Sequence, residues 1–233
     1  MTRESGGRRT GLALFGGVFV GAMVATAMVW TLRAPTESPV RRFRLPLAGT
    51  GLVSSVAISP DGGGIAYSRD GSLWVRDLAR LDPREIAGTG SAAAVFWSPD
   101  SAWVGHGSGG MIWKAPAGGG EMAAIGAFQD GHGEIATSGA WTPDGRIVFT
   151  TDGTGLLEVS EEDGEVVPFL DLQEGEDSYR DVSALPYGRG YLYIIQRNPA
   201  ARDGAAPSLH SLALVSGNTR KVLHEGQGLS LIH

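Results

Sequence analysis

Ser59-Pro60-Asp61-Gly62 decides the fold, because the same short pattern returns three more times along the chain. It comes back as Ser98-Pro99-Asp100-Ser101, as Thr142-Pro143-Asp144-Gly145 and, in weaker form, as Leu185-Pro186-Tyr187-Gly188. Each copy is turn chemistry. Proline presets φ, the Asp carboxylate can accept hydrogen bonds from the backbone ahead, and glycine accepts a positive φ. The four prolines are 39, 44 and 43 residues apart. A period near 40 residues marks a repeat architecture, in which each unit can bury its apolar face only against its neighbours.

Working outward from the turns, each unit reads as strand, turn, strand, hairpin, strand, turn, strand. In the first unit the strands are expected over residues 54–59, 65–69, 73–78 and 84–87, with Asp70-Gly71 as the hairpin signal between the second and third. The second unit places them at 94–98, 102–105, 111–115 and 121–125, the third at 139–142, 147–151, 155–160 and 166–170. The fourth reads 182–185, 191–196, 208–214 and 220–223, with a long central hairpin loop over 197–207. Four strands in that order make one blade of a β-propeller. The expected architecture is therefore all-β: a partial propeller of about four four-stranded blades, over residues 54–90, 94–126, 139–172 and 182–225.

A second feature precedes the repeats. The run from Gly11 to Leu32 holds 22 residues without a charge. As a helix it would span roughly 33 Å, enough for the hydrocarbon core of a membrane. It is longer than the apolar region of a cleaved signal peptide. Residues 1–10 read as a short head, 11–32 as a transmembrane helix, 33–41 as a linker and 227–233 as a truncated tail. Arg8 and Arg9 abut the helix and favour an N-terminus-in orientation, which puts the propeller outside the cytoplasm at a bacterial inner membrane. Net charge is −6, which argues against nucleic acid as the partner. The chain has no cysteine, so disulfides, thiolate metal sites and Cys nucleophiles are excluded.

The repeats resemble the TolB-like, WD-related propeller blades of bacterial extracytoplasmic proteins. The stretches that carry the likeness are Val56-Ala57-Ile58-Ser59-Pro60-Asp61-Gly62, Leu73-Trp74-Val75-Arg76-Asp77-Leu78, Phe96-Trp97-Ser98-Pro99-Asp100-Ser101 and Trp141-Thr142-Pro143-Asp144-Gly145. Residues 42–225 as a whole are most similar to the sensor region that follows the transmembrane helix in certain bacterial serine/threonine protein kinases. Those receptors carry a kinase domain before the helix, and this chain has only ten residues there. It has no His-Arg-Asp loop and no Asp-Phe-Gly, so no kinase activity is carried over. The resemblance implies about six blades where this chain shows four. Further blades, or a second chain, are then needed to close the ring, and the sequence reads as a partial gene product. Expressed alone, residues 42–233 should be poorly soluble or molten.

Each candidate site has a plainer structural reading. Gly105-x-Gly107-x-x-Gly110 matches a dinucleotide fingerprint in form, but Met111-Ile112-Trp113 continues a strand where a helix is required. Pro60, Asp61, Gly62, Pro99, Asp100, Pro143, Asp144, Gly145, Pro186 and Gly188 are read as structural turn residues. Glu161, Glu162, Asp163 and Glu165, and again Glu174, Glu176 and Asp177, read as solvated acidic loops without calcium-loop spacing. His106 and His132 are read as loop residues of neighbouring units, lacking a third ligand. Trp74, Trp97, Trp103, Trp113 and Trp141 fall on expected strands as packing residues. No catalytic, cofactor-binding or metal-binding residue is assigned. The expected role is a membrane-anchored, non-catalytic sensor or scaffold that binds a protein, peptide or envelope component through its loops. The alternatives are a fragment of a receptor kinase and the propeller part of a prolyl-peptidase-type hydrolase.

Overall fold

The computed structural model describes residues 51–80, 82–128, 135–197 and 209–226. All belong to one compact unit, residues 47–233. The apolar run, the linker, the tail, His132 and most of the 197–207 loop lie outside the described residues. Among those described, no helix is long and apolar enough to cross a membrane.

Among the described residues, sixteen strands form four separate four-stranded sheets, each wound in simple chain order. Sheet one holds β1 (Val53–Ile58), β2 (Gly64–Arg69), β3 (Ser72–Asp77) and β4 (Arg84–Ile86). Sheet two holds β5 (Ala93–Trp97), β6 (Trp103–Ser108), β7 (Met111–Pro116) and β8 (Ala123–Ala127). Sheet three holds β9 (Ala136–Trp141), β10 (Arg146–Thr151), β11 (Leu156–Ser160) and β12 (Val166–Leu170). Sheet four holds β13 (Ser178–Ala184), β14 (Tyr191–Arg197), β15 (Leu209–Ser216) and β16 (Thr219–Gly226). All pairings are antiparallel. Tight hairpins suffice, as at Asp70-Gly71, where φ is +50° and +81° and both residues occupy the left-handed region that a two-residue hairpin demands.

Three cores join the sheets in series, and each draws on two consecutive blades. Ala57, Ala66, Leu73, Val75 and Ile86 of sheet one pack against Val95, Trp97, Val104 and Ala115 of sheet two. Phe96 and Ile112 of sheet two meet Trp141, Ile147, Phe149 and Val159 of sheet three. Val148 and Leu156 of sheet three meet Tyr179, Tyr191, Tyr193, Ile195 and Val215 of sheet four. Successive side chains on a strand point to opposite faces. A middle blade therefore serves two cores at once: Val95 faces sheet one and Phe96 faces sheet three.

Every first strand is bulged, between Val53 and Ser55, between Ala93 and Phe96, opposite Thr150–Thr151 and between Arg180 and Ser183. At the bulges of β5 and β13, Ala94 and Asp181 have φ of +50° and +51°. The bulges interrupt the two-residue alternation. For that reason β9 and β13 begin three and four residues before the starts expected from alternation, at 136 rather than 139 and 178 rather than 182. They also place side chains for the next blade. Ser55 Oγ accepts the Val95 amide at 3.0 Å, and Ser138 Oγ accepts the Val182 amide at 2.9 Å.

Candidate functional site

The repeated turns gather on one face of the blades, together with the β3–β4, β7–β8 and β11–β12 connections. Three of the four turns share a backbone bond: the amides of Gly62, Ser101 and Gly145 reach the carbonyls of Ser59, Ser98 and Thr142 at 2.8, 3.0 and 3.1 Å. They also share a side-chain bond. The hydroxyls of Ser59, Ser98 and Thr142 donate to Asp61, Asp100 and Asp144. Asp61 and Asp100 further accept the amides of Gly63 and Ala102 at 2.8 and 3.0 Å. Asp144 instead accepts the Arg146 guanidinium at 2.7 Å. The hydroxyl bond comes first among the influences that hold all three carboxyls below the ordinary carboxylate range.

The fourth turn departs from this pattern. Leu185 and Tyr187 stand where the others have a hydroxyl and a carboxylate. Pro186–Gly188 forms a short 3₁₀ turn with no side-chain cap, and Tyr187 lies at φ 63°, ψ 27° with 92% of its surface exposed.

Between consecutive blades the turn face opens into three grooves. The first, about 410 Å³, is lined by Asp61, Asp77, Arg80, Asp82, Arg84 and Trp97 among others. The second, about 420 Å³, is lined by Pro99, Asp100, Trp103, Trp141, Pro143 and Glu161 among others. The third, about 440 Å³, has the most apolar wall, with Phe169, Leu185, Tyr187, Tyr191 and Val215 beside the Asp144–Arg146 pair. Volumes of this size suit small ligands or single side chains. Burial raises the Tyr191 phenol above its ordinary value.

Trp74, Trp97, Trp103, Trp113 and Trp141 lie on strands, with Trp97 and Trp141 buried. Trp97 Nε1 donates across the blade boundary to the Ala57 carbonyl at 3.1 Å. Lys114 Nζ lies 5.1 Å from the Trp103 ring centroid and pairs with Glu161. The Gly105–Gly110 stretch forms the β6–β7 hairpin, with Gly109 and Gly110 at φ 58° and 71°.

Three expectations need correction. His106 is not in a loop: it sits on β6, 1% exposed, and burial pushes its pKa below the ordinary value. Neither ring nitrogen has a hydrogen-bond partner among the described residues. Glu161 is not simply solvated, since it answers Lys114. Glu176 is not solvated at all: its side chain is 2% exposed and is held by Arg220, by Arg197 at 3.5 Å and by the Tyr179 hydroxyl at 2.6 Å. Burial pulls the Glu176 carboxyl upward, but the bonds from Tyr179 and Arg220 outweigh it and the net shift is downward. Burial, and then Glu176, raise the Tyr179 phenol. Among the described residues no three His, Cys, Asp or Glu side chains gather as a metal site.

No protein-family profile matches the chain, and no curated protein matches it. Solved structures do. A TolB-type protein from Agrobacterium tumefaciens superposes with a TM-score of 0.56 at 17% identity, over 76% of this chain and 63% of that one. U3-55K gives 0.55 at 13% identity, over 78% and 54%. An oligogalacturonate lyase in complex with manganese gives 0.51 at 14% identity, over 76% and 55%. At these identities the likeness shows the fold alone, a β-propeller. The chain spans a little over half to just under two thirds of the length of these proteins.

Proposed function

We propose that the chain is a membrane-anchored, non-catalytic binding module, with the Gly11–Leu32 run as the anchor and the propeller on the extracytoplasmic side of a bacterial inner membrane. The observation that carries the binding role is the row of three ligand-sized grooves between consecutive blades on the turn face. Loops and grooves presented by a rigid scaffold are where binding residues concentrate. The ligand is a protein, a peptide or an envelope component, and the module acts as the sensor part of a receptor or as a scaffold. Fold likeness alone does not assign a function, so the role rests on the grooves and the anchor. Further blades, or a second copy, complete the ring.

The resemblance of residues 42–225 to kinase-linked sensor regions supports a second reading, in which this chain is the sensing piece of a receptor kinase. Sequencing the source DNA upstream separates the two: an in-frame kinase favours the second. The binding role is tested in intact cells with a photo-crosslinking amino acid at Asp82, Glu161 or Tyr187, one for each groove, and at Glu174 on the opposite face. Discrete adducts from groove positions and none from Glu174 support the module. Equal labelling from all four positions contradicts it. Alkaline phosphatase fused after His233 should be active; an inactive fusion overturns the topology.

A further inference from the structure

We propose that two copies of this chain join head to tail into a closed ring of eight blades. The face of sheet four turned away from sheet three seats on the β1 edge of sheet one in the other copy, and Asp181 of one copy pairs with Arg69 of the other. This rests on the propeller module above and takes the second copy as what completes its ring.

Both end faces keep the pattern of the internal junctions. Counted from the turns, Val56 and Ile58 take the places of Val95 and Trp97, which face the preceding blade. Val95 and Trp97 are 6% and 8% exposed, whereas Val56 and Ile58 are 48% and 52% exposed. Ile65 and Tyr67, farther out on the same face, are buried, so the open strip runs along β1. First strands are also where blades meet: β1 contacts β5, β5 contacts β9 and β9 contacts β13. On sheet four, Leu192 takes the place of Ala66 and Val148, which are fully buried in the cores toward the following blade. Leu192 itself is only partly buried.

Charge then selects the occupant. Ser55, Ala94, Ser138 and Asp181 share one repeat position, turned toward the following blade. Ser55 and Ser138 accept the Val95 and Val182 amides of that blade, and Ala94 packs into the core shared with sheet three. Asp181 sits at the matching bulge with the φ of Ala94, +51° against +50°. Arg69, Ser108, Thr151 and Ile195 share a second position, turned toward the preceding blade. The internal junctions bring these two positions to one boundary as Ser55 and Ser108, Ala94 and Thr151, and Ser138 and Ile195, all uncharged. Only the two free ends carry charges there, Asp181 and Arg69, and they are of opposite sign. Val56, the counterpart of Val95, pairs with Tyr67, and Arg69 is one same-face step beyond Tyr67, a distance an arginine side chain spans. Arg69 is partly buried over the Trp74 ring at 4.2 Å, and its Nη1 has no hydrogen-bond partner among the described residues. A carboxylate is the acceptor a guanidinium fits best. Eight blades lie within the range of closed propellers, about four to eight. The head-to-tail contact closes on a two-fold axis along the channel, so both copies stand the same way up and both anchors meet one membrane.

The test uses the full chain in detergent, with its mass read by light scattering; a dimer is expected at about 10 μM. The chain has no cysteine, so introduced ones are its only thiols. Ser183 stands in the place of Ala57, whose carbonyl accepts the Trp97 Nε1 bond, so Ser183→Cys should face Ile58→Cys across the new junction. Mixing these two single variants with a short bis-maleimide should cross-link one to the other, and neither should cross-link alone. Asp181→Asn, which tolerates the left-handed backbone, and Arg69→Gln should each weaken the dimer about fivefold or more. The double variant should be no weaker than either single one. Ile58→Asp, at a position half exposed in the single chain, should weaken the dimer at least about tenfold, and Val167→Asp, off both end faces, should not. A monomer overturns the proposal, as does cross-linking of either single variant alone or a link within one chain carrying both cysteines. Additive losses at Arg69 and Asp181 also overturn it. A monomer that still gives discrete groove adducts leaves the module reading standing.

Discussion

Ser98 shows how one side chain holds a repeated turn. It is 3% exposed, its hydroxyl donates to Asp100 at 2.6 Å, and the same oxygen accepts the Trp103 amide at 2.9 Å. Ser98→Ala removes both bonds and leaves the Trp103 amide without its acceptor. A loss of about 1–2 kcal/mol is expected, read as a fall of several degrees in melting temperature. His106 is the opposite case, a buried polar group without a partner. Its folded pKa lies below that of the unfolded chain, so the unfolded state binds the extra proton. Stability should be full above about pH 6.5 and fall as pH drops toward the lower folded value. His106→Leu should flatten that slope between pH 5 and 7.5 in thermal melts. An unchanged slope would place its origin elsewhere. The turn chemistry of Asp61, Asp100 and Asp144 was legible from Ser/Thr-Pro-Asp alone because its partners lie within two residues. The setting of His106 was not, because the expected strand stopped at residue 105 whereas β6 runs on to Ser108.

At the scale of elements, the ion pairs at Glu176 tie the β12–β13 connection to β14 and β16. Removing Arg220 leaves Glu176 with Arg197 at 3.5 Å and the Tyr179 hydroxyl, so the charge is weakened in its support but not stranded. Arg220→Met should cost about 1–3 kcal/mol in urea unfolding, and the double variant with Glu176→Met should recover part of it. A loss below 1 kcal/mol would mean that water replaces the guanidinium. This cluster was invisible in the sequence: Arg220 lies 44 residues from Glu176, and a run such as Glu174-Gly175-Glu176-Asp177 reads as solvated. Strand identity was legible nearly throughout, since turn signals bound every strand. The starts of β9 and β13 were not, because a bulge erases alternation where the next blade is contacted. The link made there is testable. Ser138→Ala leaves the buried Val182 amide unmatched and should lower stability by about 1–3 kcal/mol. If the variant melts like the parent, the bulge does not couple the third blade to the fourth.

At the scale of the whole molecule, the spacing of four prolines was enough to give four blades and their order. Which groove is apolar could not be read in the same way. It depends on Phe169, Tyr191 and Val215, from three different strands, converging on one turn that has lost its caps. The stacking of cores in series also means that no blade is stable by itself. The most direct test of the four-blade account is amide hydrogen exchange on the full chain, resolved by peptide. Slow exchange should recur in four separate stretches, 64–77, 103–116, 146–160 and 191–197 with 209–216, while residues 60–63, 99–102, 143–145 and 186–190 exchange fast. A single contiguous protected block, or fast exchange throughout any one of the four stretches, would contradict it.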